Sequence, residues 1–412
     1  MAFSSDVYLS QFASALKYHY PGNVMAELCF RRENILRYLN AIKQPGGGRQ
    51  DMWGINTYPA DDTRSQAETA ALKTPTGEQF ADAYVNLYNK NTRRMVSSAV
   101  LDDATTSEKA LIKAVSYYPD KITKRHSFSI ARNMWYTGGT YFGGLGMCSV
   151  TSASYVMNVE TNFNFNRIFR HMKIDVKDVY GDDATNGGSL IISTYNEASC
   201  TITVSTTAIT TTSSNVIGVE DEITGTSSTY GTVAWNSIPM LVGTGNVCNV
   251  TVSSYPEYVS KVYPDVGSIG LSDIQKAVNW VRAHSEGPIT RMHASPEVIV
   301  QYCDIFLGDV RLKQEDLEYI KIGFPGQLAY RGGSMGLIPI EEDPLMPKDE
   351  IYLINWDSLQ LYNSAWMKWF EEDGSYMHRN QGYMEYELLF YSRANLGITN
   401  RNGCAALTGI SI

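Results

Sequence analysis

The chain has 412 residues, is 43% hydrophobic and 19% charged, and carries a net charge of -9 with a pI near 5.3. That length supplies ample core and suggests two or three domains. The acidic balance excludes a dedicated nucleic-acid binder, which needs a basic patch to release counterions.

Asp6 to Lys17 predicts a short helix, broken at Pro21-Gly22. Val24 to Lys43 predicts a second, with Leu28, Ile35, Leu39 and Ile42 on one face. Gln44-Pro45-Gly46-Gly47-Gly48 stops it sharply. Asp51 to Tyr58 is extended in character, Ala60 to Gly77 is polar and aperiodic, and Phe80 to Val96 reads as a strand with apolar residues on both faces. Two extended pieces around a polar tip predict a long hairpin or projecting arm. A two-stranded ribbon is marginal alone, so the arm is expected to lie on something else, a neighbouring subunit being one choice.

The stretch from Thr105 to Tyr136 predicts a long helix. Thr105-Thr106-Ser107-Glu108 is a capping-box pattern, and Leu111, Val115, Tyr118, Ile122, Ile130 and Met134 form one stripe. Gly138-Gly139 ends it. Some 30 residues at about 1.5 Å each make a rod of roughly 45 Å. Pro119 lies inside and predicts a bend or break, because it removes a backbone donor. Lys109, Lys113, Lys121, Lys124 and Arg125 occupy the other face.

Tyr155 to Asn166 reads as mixed or strand-like, and Arg167 to Val179 as amphipathic. Gly187 to Val252 is dense in Thr and Ser and nearly free of Lys and Arg. Alternation at Thr201-Ile202-Thr203-Val204 and from Val247 to Val252 predicts a β-rich insertion, with Ile191, Ile192, Val204, Ile217, Val219 and Val233 as a small core. Ser272-Asp273-Ile274-Gln275 predicts a capped helix, and Ser295-Pro296 the cap and first turn of another running to Leu307. Short strands are expected at Lys321-Ile322-Gly323-Phe324 and Met335 to Pro339, and a turn at Glu341-Glu342-Asp343-Pro344. Ile351 to Asn355 reads as a buried strand, Tyr383 to Tyr391 alternates, and Asn395-Leu396-Gly397 opens a final extended run.

Signatures of chemistry are sparse. The six cysteines, Cys29, Cys148, Cys200, Cys248, Cys303 and Cys404, contain no C-x-x-C pair and are expected to be reduced. The histidines, His19, His126, His171, His284, His293 and His378, have no metal-ligand spacing, so no metal, cofactor or catalytic residue is assigned. Gly332-Gly333-Ser334-Met335-Gly336 matches the nucleophile elbow, with His378 downstream. The helix that must follow the serine is replaced by Leu337-Ile338-Pro339, so a serine hydrolase using Ser334 is only an alternative. The glycines from Gly138 to Gly146 lack the strand and helix of a phosphate cradle. No secretion signal or membrane span is read, so folding in a cytoplasm is expected.

The order of parts resembles the major capsid protein of tailed double-stranded-DNA phages, with the α+β HK97-type fold. The likeness is carried by the capped helix, G-P turn and second helix between Gly267 and Leu312, then by Asp349-Glu350-Ile351-Tyr352-Leu353-Ile354-Asn355-Trp356-Asp357-Ser358-Leu359. It ends in Asn395-Leu396-Gly397, Asn402-Gly403 and Leu407-Thr408-Gly409-Ile410. The resemblance implies an N-terminal arm at 1–43, an extended loop at 44–100 and a peripheral domain from 101–172 with the long helix as its spine. It further implies an axial domain at 173–350 with the β-rich insertion at about 187–235, and a return to the peripheral domain at 351–412. It implies self-assembly as pentamers and hexamers into an icosahedral shell enclosing double-stranded DNA without sequence-specific contacts. Portal, scaffolding and decoration proteins are the implied partners, with no membrane, the scaffold being a separate protein. Some relatives crosslink a loop lysine to a neighbour's asparagine; Lys73 and Lys90 are the lysines in place here, with no matching asparagine motif. A nanocompartment shell enclosing protein cargo is the alternative within the fold.

Overall fold

The computed structural model describes residues 6–7, 35–46, 48–58, 78–98, 114–136, 144–149, 152–177, 188–205, 208–213, 215–220, 222, 235–307, 329–331, 336–371, 375–380 and 383–412. They form an α+β fold of three six-stranded sheets, two two-stranded ribbons and a few helices.

The first sheet is built on one long strand, Glu385–Ile398. On one side it pairs antiparallel with Tyr88–Ser97, from Glu385 opposite Ser97 to Ala394 opposite Tyr88. On the other it pairs with Leu359–Trp369. Alternation turns Leu388, Phe390, Ser392 and Ala394 inward. The helix Ala114–Met134 crosses this face, packing Tyr118 and Ile122 on Val96, Leu388 and Phe390. The N-terminal segment supplies both margins of the sheet: Asp6–Val7 runs parallel to Tyr88–Ser97, and Lys43–Pro45 runs parallel to Leu359–Trp369. Asp6–Val7 is a strand; 8–34, where the rest of the first expected helix and the start of the second fall, lies outside the described residues, and the described part of the second is Ile35–Ala41, ending before Lys43.

The spine helix runs through Pro119 without a break. Pro119 lies in the second described turn, where a single backbone bond is forfeited, and its carbonyl accepts the Thr123 hydroxyl at 2.9 Å. The capping residues from Thr105 to Glu108 lie outside the described residues.

The second sheet is the insertion, and it is larger than the Thr/Ser-rich stretch suggests. Its strands follow the order Gly144–Met147, Val216–Val219, Lys173–Lys177, Leu190–Asn196, Thr201–Val204, Val156–Asn158, all antiparallel. The last strand returns to the first. Cys148 bridges Val159, with Ser149 N donating to Asn158 O at 3.0 Å and Glu160 N to Met147 O at 3.2 Å. The sheet is thus a closed six-stranded barrel, filled by Leu145, Met157, Phe163, Ile174, Val176, Ile192, Ile202, Val204 and Ile217. Closure removes the exposed edges that strand-rich inserts otherwise present. Arg167 to Val179, read as amphipathic, contains the barrel strand Lys173–Lys177. Val247 to Val252 is a set of turns with one Val247–Val250 bridge rather than a strand.

The third sheet runs Lys261–Tyr263, Ala405–Leu407, Ile351–Ile354, Arg291–Ala294, Leu337–Glu342, Ala329–Arg331. Helices Leu271–His284 and Pro296–Leu307 pack on it through Ile274, Ala277, Val278, Val281 and Val298. Ser295 caps the second, its Oγ accepting from Val298 N at 3.3 Å. The first helix starts two residues earlier than the capping pattern predicts: Gly270 is the cap and Ser272 lies in the first turn. Glu341 and Glu342 finish a strand, and the turn begins at Asp343. Lys321 to Phe324 lies outside the described residues.

Two buried arginines tie these bodies together. Arg167 donates through Nε to Leu345 O at 2.7 Å and through Nη1 to Leu145 O at 3.0 Å, joining the barrel to the loop before Ile351. Arg401 donates to Leu241 O at 2.8 Å and Gly245 O at 2.6 Å, satisfying carbonyls at the end of the short helix Ile238–Leu241.

Candidate assembly surfaces

The expected hairpin is present as an antiparallel ribbon, Gln50–Tyr58 against Gln79–Asn86. The segment read as one strand from Phe80 to Val96 divides at Leu87, so its first half serves the ribbon and its second half the long sheet. Alternation gives the ribbon two unlike faces. Ala81, Ala83 and Val85 turn inward and are buried, alongside Trp53 and Ile55. Met52 and Phe80 turn outward and are 62% and 63% exposed. Both are large apolar side chains left open on a ribbon beside the main body.

The ribbon's root rests on its own chain. Trp53 stacks on Tyr362 with centroids 5.3 Å apart and planes 12° apart. Gly397 lies beneath; a Cβ there would come within 2.7 Å of Trp53 Cη2, so the glycine makes room for the indole. Backbone bonds from Gly46 N to Asn363 O and from Tyr84 N to Cys248 O fix the exit angle. The inner face is therefore not coreless, and only the outer face lacks a partner within the described residues. Two clefts flank the root, of about 390 Å³ beside Tyr84, Asn86 and Asn249 and about 290 Å³ beside Gly54, Tyr255 and Arg401.

Where the spine helix meets the barrel and the long sheet, the contacts are polar. Lys90 Nζ lies 2.9 Å from Glu222 Oε1, and the Tyr136 hydroxyl donates to the other carboxylate oxygen. Burial opposes the carboxylate charge, yet Lys90 and Arg132 hold Glu222 below the usual carboxylate range. Lys90 is thus committed to an internal ion pair; Lys73 lies outside the described residues. Farther up the same helix, His126 Nε2 meets Ser392 Oγ at 2.8 Å and Nδ1 meets Thr92 Oγ1 at 3.0 Å. Burial, reinforced by Lys90, pushes its pKa down to about 3, so the ring stays neutral.

The short helix Ile35–Ala41 is anchored by a stack of rings. Tyr38 lies on Trp356 at 4.9 Å, with Arg37 and Arg291 over its ring at 4.6 and 5.0 Å. Both arginines pair with Glu341. His293 Nε2 accepts from Trp356 Nε1 at 3.1 Å, and burial followed by the two arginines depresses its pKa to about 3. Nearby, desolvation raises Asp343 to about 6 and Glu350 to about 7.

Among the described residues no catalytic grouping emerges. Ser334 lies outside the described residues, while His378 Nε2 is 2.9 Å from Phe370 O. Among the described residues no group of histidines, cysteines and acids has metal-binding geometry, and no helix is long and apolar enough to cross a membrane. Cys148, Cys200, Cys248, Cys303 and Cys404 are free thiols, and burial raises Cys148 to about 12.

The sequence matches no family model and no curated protein. The fold, however, is shared with solved structures. A chain of the cyanophage A-1(L) capsid asymmetric unit superposes with a TM-score of 0.58 at 9% identity, over 95% of this chain and 96% of that one. Weaker likenesses include the capsid of Myoviridae phage XM1, at TM-score 0.49 and 8% identity over 98% and 100% of the two chains. Another is the capsid of a native GTA particle, at 0.47 and 10% over 95% of each. The chain is therefore built on a fold found in a phage capsid, nearly end to end.

Proposed function

We propose that the chain is the major capsid protein of a tailed double-stranded-DNA phage, closing as pentamers and hexamers into an icosahedral shell around packaged DNA. The likeness to the cyanophage A-1(L) capsid structure over nearly the whole length of both chains carries this reading. The two-faced ribbon supports it: Met52 and Phe80, open on its outer face with the Gly54–Asp82 pair between them, suit a limb that lies across the adjacent copy. One sequence that serves both fivefold and sixfold rings needs adaptable limbs on a fixed body. The ribbon and the segment before Ile35 fill that role.

In this reading 1–43 is the arm, the ribbon at 50–86 is the extended loop and Ala114–Met134 is the spine of the peripheral domain, together with the long sheet. The third sheet is the axial domain. Because Ile351–Ile354 and Ala405–Leu407 lie inside that sheet, we place them with the axial domain and give Leu359–Ile398 to the peripheral one. A separate scaffold, a portal and decoration proteins are the expected partners, assembly taking place in the host cytoplasm and the product being the virion. Enclosing DNA requires no base readout, which agrees with the net charge of -9.

Deleting residues 60–77, the ribbon tip, tests the reading. A folded soluble chain that forms no shells in negative-stain micrographs is the expected result. Intact shells from the deletion overturn the ribbon's role. Particles of the unaltered chain that contain protein cargo and no nucleic acid favour a nanocompartment instead.

A further inference from the structure

The barrel's outer wall is electrically divided. The flank around Lys173–Lys177 is charged, with Lys173 Nζ 3.2 Å from Glu220 Oε1. The opposite flank carries two rows that cross three strands. Thr194 lies opposite Thr203, which lies opposite Val156; Asn196 lies opposite Thr201, which lies opposite Asn158. Residues directly opposite in an antiparallel pair share a face. The row between them, Tyr195, Ile202 and Met157, points inward, and Ile202 and Met157 are fully buried. The two outer rows are therefore an uncharged array of three threonine hydroxyls, two asparagine amides and the Val156 side chain, bordered by the exposed Tyr155. It holds neither a carboxylate nor an ammonium group.

The surrounding sequence extends this neutrality. Residues 187–252 contain no Lys or Arg. Their described acids are each matched by a lysine of the same chain: Glu197 by Lys348, Glu220 by Lys173 and Glu222 by Lys90. Exposed sheet faces of soluble proteins ordinarily intersperse charges of both signs. In a chain of net charge -9, copies repel wherever acidic surface meets acidic surface. A flank cleared of charge is where two such chains meet without that cost. Hydroxyl and amide groups both donate and accept, so they bond a like neighbour with no cation between.

We propose that this neutral flank of the barrel is a contact face between neighbouring copies of the chain. The proposal rests on the shell reading above and adds to it a second limb of contact, independent of the ribbon. Thr194→Glu with Thr201→Glu places two charges on the flank without touching the barrel interior. The double variant is expected to keep its circular dichroism and melting profile but to need roughly tenfold more protein to form shells, read by light scattering and electron microscopy. Thr194→Lys with Thr201→Lys sets like charges across the same contact and is expected to raise the threshold likewise, while an equimolar mixture of the glutamate and lysine variants assembles near the unaltered concentration. Should the glutamates unfold the barrel, Asn158→Asp carries a single near-isosteric charge and shifts the threshold in the same direction. Identical shells at an identical threshold from the folded glutamate variant overturn the contact face while leaving the capsid reading intact. Absence of shells from the unaltered chain overturns both.

Discussion

Replacing Glu222 by Gln is the most informative single change to the body of the molecule. Glu222 faces Lys90 at 2.9 Å, accepts from Tyr136 and lies within the field of Arg132. Gln keeps the shape and the tyrosine bond but leaves two cations facing each other without a counter-charge. Breaking a fully buried pair costs about 3–5 kcal/mol. Here the side chains retain 12% and 25% exposure, so some solvation returns and about 2–3 kcal/mol is expected. Lys90→Met alone strands the carboxylate near Arg132 only, so about 1–2 kcal/mol is expected. The double variant removes both charges and lies within about 1 kcal/mol of the parent, giving a coupling of about 2–4 kcal/mol. Urea unfolding of the four chains of the cycle measures it. A Glu222→Gln variant within about 0.5 kcal/mol of the parent, or additive single changes, refutes the claim that this pair fastens the barrel to the long sheet.

Gly397→Ala drives a methyl into Trp53 and is expected to cost about 1–3 kcal/mol by thermal unfolding, but under about 1 kcal/mol in a chain already carrying Trp53→Ala. Met52→Asp with Phe80→Asp lies on the ribbon's outer face, so stability changes by less than about 1 kcal/mol while particles disappear from micrographs. Acid titration has opposing arms. Glu350, raised to about 7, binds its proton more tightly folded than unfolded, so it adds stability as pH falls from 7 towards its ordinary value. His126 and His293, held near 3, are protonated first in the unfolded chain and remove stability below pH 6.5. Glu350→Gln deletes the first arm only. The variant therefore loses about 2 kcal/mol more than the parent between pH 7 and 5 in denaturant midpoints, and equal slopes contradict the assignment.

The ribbon is legible in sequence because glycines and a polar tip bracket two extended runs, and the helices at Leu271 and Pro296 because caps and apolar stripes are local signals. The barrel is not. Its strands at Gly144–Met147, Val156–Asn158 and Val216–Val219 are three or four residues long, too short for alternation to register, and its closure between Cys148 and Val159 is a pairing that no local pattern encodes. Asp6–Val7 misleads for a related reason: two residues borrow their conformation from the strand beside them. The neutral flank shows in composition only as a missing charge, and it acquires meaning once register sets the threonines side by side.

The placement of Glu385–Ile398 between Tyr88–Ser97 and Leu359–Trp369 has a consequence for timing. A strand from near the end of the polypeptide is the centre plank on which segments from its beginning must be laid. During synthesis Tyr88–Ser97 lacks its Glu385–Ile398 partner, and Lys43–Pro45 its Leu359–Trp369 partner, until those later segments have left the ribosome. A fragment that stops short of Glu385 is thereby denied the finished sheet.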